Sequence, residues 1–227
     1  MLCLAANIAK NSTFMFAFAL AMIGYRPFNI PSEAMRPTLE PGNYLMIKPP
    51  IYNEQGNIRI KRGDVIVFRK MNDETSYIKR VIGLPNDTVQ MVNGQVKLNG
   101  VILNQQITAQ ETLTDVLRQQ YPVTRLRETI APNKSYEVYN IYDNGPFDNT
   151  PELIVPPDMY FVLGDNRDNS TDSRMDEILH AGIGLVRETN IVGVNGYKMA
   201  EFDDSETSSP QEKLSHIHWY AMAKKIE

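Results

Sequence analysis

Cysteine is almost missing from this chain. Cys3 stands alone among 227 residues, so no internal disulfide can staple the fold. Histidine is scarce as well. His180, His216 and His218 form no metal-ligand pattern with cysteine or acidic neighbours, and no metal or cofactor is expected. A positive excess is lacking too. The 23 Lys and Arg stand against 27 Asp and Glu along the whole chain, which leaves no electrostatic footprint for nucleic acid. There is no internal repeat. The charge-free apolar run at residues 14–25 is shorter than the roughly 20 residues a spanning helix needs. What is present is ordinary for a globular protein. Hydrophobic residues make up 42% and charged residues 22%, enough for one sizeable core and too apolar for a disordered chain.

The N-terminus has three readings. Residues 2–25 reach spanning length if the helix tolerates Lys10, whose stem can carry its ammonium to the interface. A buried core helix and a cleaved signal peptide compete with that. No Ala-x-Ala site stands convincingly before Arg26, which disfavours cleavage. With Lys10 before the run and Arg26 after it, the positive-inside rule weakly favours a cytoplasmic N-terminus.

After Arg26 the frequent prolines (Pro27, Pro31, Pro37, Pro41, Pro49 and Pro50) exclude helix interior. Strand signals follow: Asp64-Val65-Ile66-Val67-Phe68, then Tyr77-Ile78-Lys79-Arg80-Val81-Ile82. Val89 to Val92 and Gln95 to Leu98 flank Asn93-Gly94, the pattern of a tight hairpin, and Asn99-Gly100 punctuates the next strand. Residues 111–120 are polar and read as a helix. Met159 to Leu163 and Ile191 to Val194 read as strands. The polar tail is expected to be mobile. The expectation is a mostly β chain, with an anchor at 1–26, a β core at 27–89 and 156–203, an inserted β-rich unit at 90–155 and a tail at 204–227.

Three segments carry chemistry. Ile30-Pro31-Ser32-Glu33-Ala34-Met35-Arg36-Pro37-Thr38-Leu39 is the first, and Tyr77-Ile78-Lys79-Arg80-Val81-Ile82-Gly83-Leu84-Pro85 the second. Gly164-Asp165-Asn166-Arg167-Asp168-Asn169-Ser170-Thr171-Asp172-Ser173-Arg174 is the third. Strand alternation puts Lys79 on one face with Tyr77 and Val81. A lysine becomes a base near neutrality only when desolvated. The adjacent Arg80 does not deprotonate in proteins. Most strand lysines simply snorkel to water. The third segment is rich in oxygen ligands, but Arg167 and Arg174 argue against a cation cage.

In this order and with this internal spacing, the three segments resemble type I signal peptidases, membrane-anchored serine endopeptidases that remove signal peptides. The resemblance implies a signal-peptidase-like β-sheet core with an inserted smaller unit and an N-terminal membrane helix. It implies Lys79 as general base, Ser32 as an oxyanion donor and Ser170 as the residue orienting Lys79. Asp165, Asp172 and Arg174 become structural members of the loop. Phe28, Ile30, Pro31, Met35, Leu39, Tyr77 and Ile78 match positions lining the substrate pockets, although each alone is as well explained by core packing. The implied partners are signal peptides of exported preproteins and the lipid bilayer. The implied location is a bacterial inner membrane, crossed once, with the bulk of the chain outside.

One position departs from that pattern. Ala34 stands where the family has its nucleophilic serine, and a methyl group cannot form an acyl-enzyme. In an extended segment Ser32 would share its face but lie about 6.5 Å away, beyond the tolerance of such a site. The expectation is a protease scaffold made inactive at position 34. The alternative is a natural non-catalytic relative that binds signal peptides or a membrane partner. Self-cleaving Ser-Lys repressor domains share the dyad but not the anchor or the Gly-Asp-Asn-Arg loop.

Overall fold

A computed structural model describes residues 24–70, 75–115, 118–176, 182–202 and 217–226. The expected anchor lies outside these residues apart from its last three. Among the described residues no helix is long and apolar enough to cross a membrane.

The first strands are β1 (Arg26–Asn29), β2 (Tyr44–Ile47), β3 (Val65–Arg69) and β4 (Ser76–Gly83). A run of short strands follows: β5 (Thr88–Val92), β6 (Gln95–Leu98) and β7 (Val101–Ile102). Then come the long β8 (Asn104–Thr114) and β9 (Gln120–Ala131), and β10 (Lys134–Asn140). The chain ends with β11 (Leu153–Ile154), β12 (Met159–Leu163), β13 (Val186–Arg187), β14 (Ile191–Val194), β15 (Gly196–Phe202) and β16 (Ile217–Ile226).

They build four sheets. The central one has the order β13-β12-β4-β3-β14. Its strands β3 and β12 are β-branched and aromatic, as a doubly covered strand requires. Between β4 and β12 the chain leaves this sheet and forms two others, β11-β5-β6-β7 and β10-β9-β8. These do not stand apart. Ile82, Phe161 and Leu163 share one buried cluster with Val89, Met91, Val96 and Val138. The fourth sheet, β1-β2-β15-β16, joins the two ends of the described chain.

The expected tight hairpin is present. Asn93 and Gly94 both take positive φ, 49° and 75°, between the paired β5 and β6. That is the turn whose twist suits two flanking strands. Of residues 111–120, read as a helix, 111–114 are instead the end of β8 and Gln120 is the first residue of β9, while 116–117 lie outside the described residues. Glu, Leu and Gln favour helix only weakly as single residues. Here cross-strand pairs decide: Glu111 lies opposite Val123 and accepts from Arg125 Nη2 at 3.0 Å. The tail is also corrected. Its last ten described residues, β16, pair with β15 from Gly196 opposite Ile226 to Phe202 opposite Ile217.

Candidate active site

The segment after β1 does not stay extended. Residues 34–38 are turns, with Arg36 N–H donating to Glu33 O at 3.0 Å and Leu39 N–H to Met35 O at 2.9 Å. The extended spacing assumed for Ser32 and Ala34 therefore does not apply. Apolar side chains pin the turn from below. Ile30, Met35 and Leu39 are buried in a cluster with Leu45, Ile47, Val65 and Val67. From the other side, Asn166 N–H donates to Ala34 O at 3.1 Å, and Asn166 Nδ2 donates to Glu33 O at 3.3 Å.

A cleft of about 870 Å³ opens above this turn. Ser32, Ala34, Lys79 and Ser170, from three distant stretches of sequence, all line it. Pro31 and Tyr77 line it too. Of the other expected pocket residues, Ile30, Met35 and Leu39 are in the core beneath, and Phe28 and Ile78 pack half-buried against that same cluster. Those five support the floor of the cleft rather than its surface.

Lys79 is 4% exposed. Its Nζ donates to Ile78 O at 3.1 Å. Burial pushes the ammonium down to about 8, against the pull of the Asp172 and Asp165 carboxylates and with a push from Arg174. A neutral amine is thus accessible close to neutral pH. Ser170 is buried, and among the described residues its Oγ has no hydrogen-bond partner. A buried hydroxyl left without a hydrogen bond costs free energy. At position 34 the chain offers only a methyl group.

The loop that carries Ser170 is fixed by charge. Asp172 accepts from Arg174 Nε and Nη2, both at 2.9 Å, and from Gly164 N–H at 3.1 Å. Asp165 accepts from Arg80 Nε at 2.8 Å and Nη2 at 2.7 Å, and from the Thr38 hydroxyl. Arg80 is fully buried, so the residue beside the expected base is an anchor for the loop. Asp168 accepts from Ile141 N–H at 2.7 Å and Tyr142 N–H at 3.1 Å. All three carboxylates of the loop are thus committed to hydrogen bonds. Among the described residues no cluster of three or more His, Cys, Asp or Glu is arranged for a metal.

Three features were missed from sequence. Glu128 on β9 is fully buried and accepts from Arg167 Nη2 at 2.6 Å, Tyr136 Oη at 2.6 Å and Gln105 Nε2 at 2.7 Å. It ties the excursion to the Ser170 loop. Glu33, next to Ala34, accepts from Arg36 Nη1 at 2.9 Å and Asn169 Nδ2 at 3.0 Å. The β8–β9 hairpin brings Asp115, Gln119 and Tyr121 to the cleft as a polar wall. Only the hairpin had a sequence signal, the alternation around Thr108, Thr112 and Thr114.

Gly164 offers a direct check on this packing. A Cβ there would stand 2.2 Å from Ser170 Oγ and 2.5 Å from Ala34 O, one of them backbone. Gly164→Ala is expected to destabilise by about 1–3 kcal/mol, as overpacking does, with a lowered unfolding midpoint. A wild-type midpoint would mean that the loop and the turn are not in contact.

A buried lysine of lowered basicity and a buried serine hydroxyl thus line one cleft with Ala34. The chain belongs to the signal peptidase family, peptidase S26, whose model matches residues 7–199. It is 34% identical to a signal peptidase I of Pseudomonas aeruginosa over 187 residues, which cover 74% of this chain and 62% of that one. It is 31% identical to signal peptidase I P of Bacillus subtilis subsp. natto, covering 79% and 80%. A signal peptidase I of Rickettsia conorii is 29% identical, covering 74% and 73%.

Proposed function

We propose that this chain is a signal-peptidase scaffold that holds the signal peptide of an exported preprotein and, with Ala34 in the nucleophile position, does not cut it. The supporting observation is the meeting of Lys79, Ser170 and the Ala34 methyl in one cleft. A base with a value of about 8 and an unoccupied hydroxyl flank the position where an attacking oxygen is needed. In this reading Lys79 is the base, Ser170 orients it, and the exposed Ser32 donates to the oxyanion. Small side chains before a cleavage site would enter the shallow groove edged by Pro31 and Tyr77, with the precursor extended along it. Residues 1–26 are read as a single membrane anchor, with the remaining chain on the outer face of a bacterial inner membrane.

The test is a purified precursor with an Ala-x-Ala site, mixed with the full chain in detergent. The precursor is expected to co-migrate with the chain and to keep its full mass. Cleavage by the unmodified chain would overturn the reading and make Ser32 the suspect nucleophile, to be tested with Ser32→Ala.

A further inference from the structure

A second cavity, of about 410 Å³, lies outside the cleft just described. Its charged lining is Lys48, Arg59, Lys61, Lys134 and Asp64, four cations against one carboxylate. That carboxylate is already spent. Asp64 Oδ1 accepts from Lys134 Nζ at 2.8 Å, and Oδ2 accepts from Lys61 N–H at 2.8 Å. Among the described residues no ion pair engages the side chains of Lys48, Arg59 or Lys61. Three like charges converging on one hollow repel one another unless an anion joins them.

The frame around them is set by backbone bonds. Lys48 N–H donates to Asn195 O at 3.1 Å, and Arg59 N–H donates to Ile51 O at 2.8 Å. Tyr52 bridges Ile58, and the Asn53 carboxamide oxygen accepts from the Gln55 and Asn57 N–H groups. This loop presents two large side chains to the outside, Ile51 at 46% and Tyr52 at 58% exposed. An aliphatic and an aromatic side chain beside a basic hollow form the pattern of a membrane–water interface. Position agrees with that chemistry. Pro49, which lines the cavity, lies beside Gly24, where a Cβ would be 3.8 Å from the proline Cγ. Gly24 is the last but one residue of the charge-free apolar run of sequence at residues 14–25.

We propose that the hollow of Lys48, Arg59 and Lys61 binds the phosphate of an anionic phospholipid headgroup, with Ile51 and Tyr52 against its acyl chains. It rests on the reading of residues 1–26 as a membrane anchor. The bound lipid would fix the height and tilt of the protein over the bilayer, which an anchor joined by a single strand of chain does not do.

The test uses the full chain in neutral detergent micelles. Short-chain phosphatidylglycerol, phosphatidylcholine and inorganic phosphate are titrated separately, and retained ligand is counted by native mass spectrometry. Phosphatidylglycerol is expected to be retained in preference to phosphatidylcholine and to free phosphate. Lys48→Gln/Arg59→Gln/Lys61→Gln is expected to weaken it by on the order of a hundredfold, taking a surface cation near anionic lipid at about fivefold. Lys97→Gln/Arg127→Gln/Arg187→Gln, the same charge change elsewhere, is expected to bind as the parent does. Equal loss in both triple variants, or none in the first, overturns the site. Equal retention of phosphatidylcholine overturns the charge argument, and retention of free phosphate as strong as that of lipid reassigns the hollow to soluble anions. Alkaline extraction of membranes separates the two readings. A chain released by carbonate has no anchor, whereas one that stays embedded but ignores the Lys48, Arg59 and Lys61 changes has an anchor without this site.

Discussion

Ala34→Ser is expected to convert the chain into a working endopeptidase, with cleavage at an Ala-x-Ala site rising by up to about 10⁶-fold. The scale comes from subtilisin, where removing the serine nucleophile costs roughly that factor in kcat. The new hydroxyl would enter a cleft that already holds a desolvated lysine and an unpartnered Ser170 Oγ. Ala34→Ser/Lys79→Ala is expected to return to the baseline, because serine without a base is a poor nucleophile. The pH profile of Ala34→Ser follows from the lysine. The base works only when neutral, so the rate is expected to rise with pH through about 8 and level off above it. The same shift acts on stability. The folded value lies below the ordinary 10.5 of a lysine, so burying the ammonium penalises the fold in full below about 8, and the penalty fades as pH rises toward 10.5. Gel assays of precursor cleavage with both variants decide the matter. Silence from Ala34→Ser, with precursor still bound, would mean that the groove does not present the scissile bond to position 34.

The largest loss of stability is expected from Asp165→Ala. Arg80 and Asp165 are essentially inaccessible, at 0% and 1% side-chain exposure, and 2.7 Å apart. Removing one partner of such a pair leaves an uncompensated buried charge, at a cost of about 3–5 kcal/mol. The guanidinium would retain Gly63 O at 2.8 Å and the face of the Tyr136 ring 4.1 Å away. Neither is a counter-charge. Denaturant unfolding followed by tryptophan-independent circular dichroism measures the difference. A change below about 1 kcal/mol would put the pair in the class of screened surface ion pairs. Acid should act in the same direction. Burial alone pushes Glu128 and Asp172 up, but Arg167 and Arg174 more than offset it and hold both carboxyls below their usual range. Their contribution is complete above the unfolded carboxylate range and is lost as pH falls through the lowered folded values.

The parts of the fold legible in the sequence were those written in local chemistry. The strand of Val65 to Phe68 and the hairpin at Asn93-Gly94 could be read because β-branching and positive φ are properties of the residues themselves. The cleft was legible for a different reason. Ser32, Ala34, Lys79 and Ser170 stood in three segments whose resemblance to one family joined them before any distance was known. What failed was tertiary. Residues 111–114 sit in a stretch that reads as a helix, and the pairing with β9 across the way makes them a strand. Glu128 is one of many surface-like glutamates in the sequence, and nothing nearby announces Arg167, 39 positions on, as its partner. The final strand was hidden because its pairing partner, β15, is separated from it by a polar stretch that looks like a loose end.

The route of the chain sets a timetable for the cleft. The turn bearing Ala34 hangs between β1 and β2, and β2 is held on its other side by β15, which is held in turn by β16. Lys79 on β4 likewise has its neighbour β12 only after the long excursion has been made. Contacts so far apart in sequence form slowly, since each closes a large loop before any reward arrives. A growing chain therefore carries Ser32, Ala34 and Lys79 for most of its synthesis without a groove to put them in. Met175 is the last residue in the lining of the groove, so a chain that stops short of it lacks part of the wall.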